Sequence, residues 1–311
     1  MKAPQKTSPM VSSPIKRTHI LLKAIFRKTA CAAAAVMVLW CAPATTAQTP
    51  VTVWHNESAD TTRITHILIE EARADRPGEP GRLGQLFAGT PYAAHTLEGE
   101  NEALRVNLDS MDCTTFVETV AALALTAREG RSSWQDFLYN LERIRYRQGT
   151  MRDYASRLHY ISDWALDNQS RGTLREVTGE LPGARHNVKT LNFMTRNRAL
   201  YPALADSATY ARMRSVEAGF SNYRYPYLRG SSLNAKNLRQ LIRQGDILAF
   251  TTATPGLDVS HLGIAVTDAD GTVRLLHASS REGKVLIDPL PLAEYLRRNR
   301  TDGLRVFRLL E

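Results

Sequence analysis

Asn107–Leu–Asp–Ser–Met–Asp112–Cys113–Thr–Thr–Phe–Val–Glu118 is the stretch on which the reading of this chain turns. Three cysteines occur in 311 residues, and Cys31 and Cys41 both fall in a segment that reads as a removable export signal. Cys113 is then the sole thiol of the mature chain. Exported proteins normally pair their cysteines, so an unpaired one is either a small core residue or a reactive thiol. From Thr114 to Glu129 the apolar residues recur with helical spacing: Phe116, Val120, Leu123 and Ala127 share a face, with Val117 and Ala124 beside them, and Gly130 follows as a stop. Cys113 therefore belongs at a helix N-terminus, with Asp109, Ser110 and Asp112 as candidate caps. Unpaired N–H groups and the positive end of the helix dipole favour thiolate there, and the same groups could donate to an oxyanion. A structural cysteine that merely precedes a helix explains this segment equally well, so its partners decide.

Upstream, Lys2, Lys6, Lys16, Arg17, Lys23, Arg27 and Lys28 lead into the apolar run Ala30–Ala42. Ala42–Pro43–Ala44 and Thr45–Thr46–Ala47 both suit a cleavage site, so residues 1–47 are expected to be a signal peptide. The run is shorter than the roughly 20 residues of a membrane span. Lipidation at Cys41 would require a small residue where Trp40 stands. The mature chain is expected to be periplasmic or secreted, without a stable membrane span. The formal charge is +9, but those seven cations carry most of it, and without them +2 remains. The basic character thus belongs to the signal and does not imply a nucleic-acid partner. With 43% hydrophobic residues, 48–311 supports a single core.

The spacing predicts a helix over 58–75, capped by Ser58 or Asp60, a break at Arg76–Gly81, and a short helix or turn leading to Gly89–Thr–Pro–Tyr92. Ser133 caps a further helix whose stripe is Trp134, Phe137, Leu138, Leu141 and Ile144. Residues 146–200 mix aromatic and basic groups, including Tyr154, Arg157, His159, Tyr160 and Trp164, with a weak strand signal at 173–178. They read as an insertion or subdomain that is either a substrate wall or an ordinary polar surface over buried aromatic stems. Helices over 203–218 and 232–242 follow. The remainder is strand-rich, with runs at 246–252, 261–267, 272–278 and 284–288, a helix over 290–298 and a closing strand at 304–309. Helices first and consecutive strands later predict an α+β fold with an antiparallel sheet of about five strands.

Asp268–Ala–Asp–Gly271 is a hairpin turn. A turn centred near Ala269 sets His261 and His277, sixteen apart, close to opposite one another on one face. Singly, each is more simply a satisfied or exposed histidine. Together, beside a helix-borne cysteine, they make a Cys–His–polar arrangement. His261 would take the thiol proton and later protonate a leaving amine, and His277 would hold its ring, the logic of a catalytic triad recognised by roles.

Asp112–Cys113–Thr–Thr–Phe–Val, Gly245–Asp–Ile–Leu–Ala–Phe, Ser260–His261–Leu–Gly–Ile–Ala–Val and Leu276–His277–Ala–Ser together resemble the motif series of the NlpC-type cell-wall cysteine peptidases and amidases, permuted relatives of papain. Gly89–Thr–Pro–Tyr92, Met111–Glu118 and Ser156–Arg–Leu–His–Tyr160…Trp164 look like the N-acetylmuramoyl-L-alanine amidase-like branch. The resemblance spans about residues 60–309. It implies a permuted papain-like core with the nucleophile helix packed on the sheet, Cys113 as nucleophile, His261 as base and His277 as third residue. Tyr92 and Asp112 match substrate-site positions, and Tyr154, Arg157, His159 and Tyr160 are further candidates for substrate contact. Thr114–Thr115 departs from the usual Ser–Gly, and Tyr92 lies further upstream than in short members.

The expected activity is hydrolysis of the amide between N-acetylmuramic acid and L-alanine in peptidoglycan or its fragments, with no cofactor and no metal. A γ-D-glutamyl–diamino acid endopeptidase is the alternative within the class, since Asp112 could pair with a free peptide amine. A zinc hydrolase built on His261, His277 and a carboxylate lacks a recognisable ligand spacing. An inactive glycan- or peptide-binding module would suit the aromatic residues but leaves the cysteine and histidines without a purpose.

Overall fold

A computed structural model describes residues 52–299 and 301–310, and the expected signal at 1–47 lies outside them. Strand β1 (Thr52–Trp54) leads to helix α1 (Glu57–Glu71), whose N-cap is Asn56 rather than Ser58 or Asp60. Helix α2 (Pro80–Gln85) starts inside the expected break: Glu79 caps it and Pro80 takes the first turn, where a missing N–H costs nothing. Strand β2 (Leu104–Val106) pairs in parallel with β1. Helices α3 (Cys113–Arg128) and α4 (Trp134–Arg145) follow, capped by Asp112 and by Ser133. Next come α5 (Ile161–Ser170), β3 (Leu174–Glu176), β4 (Ala184–Lys189), α6 (Phe193–Arg196), α7 (Ser207–Ala218), β5 (Tyr223–Arg229) and α8 (Ala235–Leu241). Strands β6 (Ile247–Thr251), β7 (Val259–Thr267), β8 (Val273–Ser279) and β9 (Lys284–Pro291), helix α9 (Leu292–Arg298) and β10 (Gly303–Leu309) complete the chain.

Among the described residues the main sheet has eight strands rather than about five. Its order is β4-β5-β10-β6-β7-β8-β9, with β3 alongside the far end of β10, and every pairing is antiparallel. The extra strands come from short or half-exposed segments, where alternation is weakest as a signal. Residues 146–200 supply two of them. Tyr146, Leu158, Ile161, Trp164 and Leu174 from that region also join the principal core, so the segment is woven into the sheet instead of being carried on it.

Helix α3 is buried at every position from Thr115 to Ala127. Its apolar side chains meet Ile247, Leu262, Ile264, Leu276 and Val285 on one face of the sheet. A second cluster on Leu248, Ala265, Leu275 and Val306 lies under α8 and α9. This two-sided burial follows from the period-two alternation of each strand. Several of the charged groups inside are paired. Arg305 on β10 is fully buried, holds both oxygens of Glu176 on β3 at 2.9 Å, and donates to Ser162 Oγ on α5 at 2.7 Å. Removing one partner of such a pair strands the other charge. Glu176→Ala is therefore expected to lower the unfolding free energy by about 3 kcal/mol, measured by urea denaturation.

Candidate active site

Asp112 caps α3 through one oxygen: Oδ1 accepts from the N–H groups of Thr114 (3.0 Å) and Thr115 (2.8 Å) and from the Thr115 hydroxyl (3.0 Å). The Thr115 hydroxyl in turn accepts the Asp112 N–H at 3.0 Å, which closes a capping box. The Thr–Thr departure noted above thus gives the helix a threonine at its third position that completes the cap. Cys113 occupies the first helical position, is half-buried, and is the free cysteine of the described residues.

The pairing of β7 with β8 runs from Thr267↔Val273 to Ile264↔Leu276 and goes no further toward the histidines. The Leu262 N–H reaches the Cys113 sulfur instead. A β-bulge in the β6–β7 ladder falls just before His261, between the pairs Phe250↔His261 and Thr251↔Val259. Such a bulge re-aims the next side chain. The β7–β8 register is two residues away from the expected one, so that its continuation sets His277 across from Gly263 and His261 diagonal to His277. A shift of two keeps both rings on one face. His261 Nε2 and His277 Nδ1 stand 2.6 Å apart, with the rings nearly perpendicular at 82°. Gly263 leaves room for this: a Cβ there would come within 2.5 Å of Leu275 and 3.1 Å of the His277 Cβ.

Aromatic rings wall the pair. Phe250 stacks at a tilt on His261, and Tyr295 from α9 stands edge-on to both Phe250 and His277. A cavity of about 310 Å³ opens beside His261, lined by Phe250, Thr251, Ser260, Tyr295, Asn299 and Asp302 among others. Tyr92 bridges to Met111 next to Asp112, and its hydroxyl is held protonated by burial and by the neighbouring Cys113 and Asp112.

The electrostatics reverse one expectation. Burial, and then the Asp112 carboxylate, push the Cys113 thiol up to about 11. The Leu262 N–H, the Thr114 hydroxyl and the cysteine's own N–H pull the other way without prevailing. Desolvation outweighs the helix terminus because two of its first N–H groups are spent on Asp112. Burial likewise lowers His261 to about 3, aided by His277, and lowers His277 to about 4, aided by Arg281. The resting pair is a thiol beside neutral imidazoles.

Three candidates for substrate contact turn inward. Tyr160 is 1% exposed, and its hydroxyl donates to Glu217 at 2.6 Å. Arg157 is 5% exposed, pairs with Glu98 at 2.8 Å and covers the Tyr154 ring. Tyr154 is itself buried. His159 is half-buried and bonds the Tyr154 carbonyl through Nε2 at 2.8 Å. Tyr154 and Tyr160 pack with Leu191, Met194, Met213 and Phe220 in a third apolar cluster, so these residues brace that segment and do not form an open wall.

The sequence reading missed Asp288, Tyr295, Gly263 and the Leu262 N–H. Asp288 was accessible: the pairing logic applied to His261 and His277, extended one hairpin further, puts it on the His277 face.

The arrangement is that of a mixed α/β protein in which a buried helix presents a thiol to a strand carrying one of two hydrogen-bonded imidazoles. Residues 82–304 match the family described as N-acetylmuramoyl-L-alanine amidase-like, and the chain belongs to that family. Among solved structures, an N-acetylmuramoyl-L-alanine amidase from Bacteroides uniformis ATCC 8492 is 39% identical, with a TM-score of 0.70 over 75% of this chain and 100% of that one. A Bacteroides fragilis protein provisionally named a xylanase is 42% identical, with a TM-score of 0.68 over 73% of this chain and 100% of that one. A Legionella pneumophila protein at 23% identity shares the fold, with a TM-score of 0.63 over 82% and 96% of the two chains. No curated protein matches.

With the thiol at about 11, the thiolate fraction rises roughly tenfold per pH unit through the neutral range. Alkylation of Cys113 by iodoacetamide is expected to climb with that slope and to show no plateau below about pH 10, as followed by intact-mass spectrometry. A flat rate from pH 6 to 9 would mean a resting thiolate–imidazolium pair.

Proposed function

We propose that the protein is a cysteine-dependent amidase that cleaves the bond between N-acetylmuramic acid and L-alanine in peptidoglycan or its fragments. The observation that carries the mechanism is the 2.6 Å contact between His261 and His277 on strands whose neighbouring residue, Leu262, lies against Cys113. The family carries the bond. His261 Nε2 is engaged by His277, so its Nδ1 is the nitrogen available to the thiol. On attack, Cys113 Sγ bonds the lactyl carbonyl carbon and its proton passes to His261. The first-turn N–H groups of Thr114 and Thr115 serve Asp112, which leaves the Cys113 N–H as the donor for the oxyanion. Collapse breaks the C–N bond, and the proton on His261 goes to the alanine nitrogen. Water, deprotonated by the same ring, then releases the sugar acid from the thioester.

A permuted papain-like core fits a buried helix that bears the thiol and precedes, in chain order, the strands that bear the histidines. Tyr92, beside Cys113 and Asp112, is the expected substrate contact. The endopeptidase reading needs Asp112 for a peptide amine, which its Oδ2 could take because the helix cap uses Oδ1 alone; the family favours the amidase. The zinc reading needs both imidazoles as ligands, and the nitrogens that face each other here, 2.6 Å apart, hydrogen-bond each other instead. We place the enzyme outside the cytoplasm on the strength of residues 1–47, which predicts a mature N-terminus near residue 48 by N-terminal sequencing.

Defined muropeptides incubated with wild type and with Cys113→Ala test the proposal by mass spectrometry. The expected products are free muramic-acid sugar and a peptide with an intact N-terminal L-alanine. Cys113→Ala should fall to the uncatalysed rate while keeping its fold. Cysteine-dependent cuts inside the peptide would transfer the assignment to the endopeptidase, and full activity in Cys113→Ala would remove Cys113 as nucleophile.

A further inference from the structure

The imidazole pair has a far end that the mechanism above does not use. His277 is 2% exposed, and its Nε2 is buried without a hydrogen-bond partner. The nearest charge facing that nitrogen is Asp288 Oδ2, at 3.7 Å. Asp288 is itself 3% exposed. Its place follows from the β8–β9 register. His277 pairs directly with Leu286, so Asp288, two residues on, projects from the same face. The ladder then shifts, with Arg274 opposite Pro291, so the bulge falls just past Asp288 before the strand resumes to Pro291. The Leu290 N–H donates to Asp288 Oδ1 at 2.9 Å, which fixes the carboxylate plane and leaves Oδ2 as the oxygen turned to His277.

We propose, resting on the cysteine–histidine reading above, that Asp288 is a positioning residue: its carboxylate holds His277 in the Nε2–H tautomer. His277 Nδ1 is then an acceptor, and the 2.6 Å contact is a bond donated by His261 Nε2–H. That in turn leaves a lone pair on His261 Nδ1, the nitrogen the thiol proton must reach. A carboxylate can only accept, so the direction of the whole relay is set at its far end. With the opposite tautomer, His261 would carry its proton on Nδ1 and could not act as a base. When His261 becomes imidazolium during attack, the same carboxylate stabilises the positive charge spread over the pair. The 3.7 Å separation is that of the substrate-free site, where such contacts are commonly long.

The test is made on the full chain, with Asp288→Asn as the informative variant. The Leu290 N–H keeps the amide oxygen in the Oδ1 position, so the amide NH₂ takes the place of Oδ2 and offers His277 Nε2 a donor. In histidine-labelled ¹⁵N NMR near neutral pH, wild type is expected to carry its protons on Nε2 of both His261 and His277, and Asp288→Asn to carry them on Nδ1. A wild-type His277 protonated on Nδ1, or tautomers unmoved in Asp288→Asn, would overturn the proposal, and the wild-type spectrum decides it even if the variant fails to fold. General-base catalysis is worth roughly 10²–10⁴ in rate, so Asp288→Asn should lose about 100-fold in kcat at little changed KM. It should be no better than Asp288→Ala despite its near-identical shape. A merely structural Asp288 would instead be rescued by Asn, which overturns the proposal. The tautomers are read without turnover, so a fully active Cys113→Ala would defeat the nucleophile reading while leaving the assignment of Asp288 to the spectra.

Discussion

The seating of Cys113, at the start of α3, against the cluster that contains Leu262 of β7 is the contact on which the site depends. A buried backbone N–H must find an acceptor. Where β7 stops pairing with β8 beyond Ile264, the Leu262 N–H lies near enough to the Cys113 sulfur to favour its thiolate. Helix α3 is there because it is apolar on nearly all sides and the sheet covers it. The same burial makes the thiol and both imidazoles reluctant to ionise. The thiol and the two imidazoles therefore rest uncharged, and charge separates between them only as the sulfur bonds to a substrate carbon. Desolvation sets that state, and the hydrogen bonds around the sulfur moderate it.

Around this contact the protein spends its charged residues on bracing. Arg145 bonds Glu118, in the second turn of α3, at 2.6 Å with both side chains buried. Arg157 joins the 95–102 loop through Glu98 and Leu97. Arg308 grips both oxygens of the buried Asp246 at the start of β6. Each pair bridges elements distant in sequence, and in a buried setting its geometry tolerates little movement. The aromatic and basic richness of 146–200, open in the sequence to either a binding or a packing reading, resolves as packing at Tyr154, Arg157 and Tyr160. Arginine and tyrosine suit both roles, and only the partners they meet distinguish them.

Helix α3, its cap at Asp112 and its end near Gly130 were legible because a helix signal needs only neighbouring residues. The Ser133 cap and the β6–β8 runs were legible for the same reason. Strands β1 to β4 were missed or faint, since runs of three to six residues, mostly half-exposed, carry little alternation. The His261–His277 pairing was read two residues out of register. The turn centres nearer Asp270, with the Gly271 N–H bonded to the Asp268 carbonyl and the Asp268 N–H to the Thr272 carbonyl. The face of the two rings survived the error because side chains alternate with period two.

The sequence by itself determined that one thiol stands at the head of an apolar helix, that two histidines share a face of a later hairpin, and which family's motifs they follow. These depend on local periodicity, capping chemistry and order along the chain. Tertiary structure alone decided that β7 parts from β8 near the cysteine, that the thiol is protonated at rest, that Gly263 makes way for His277, and that Asp288 comes within 3.7 Å of its outer nitrogen. Those properties come from desolvation and from contacts between segments more than ten residues apart. Neither leaves a periodic trace, because burial and strand register are set by the whole sheet at once.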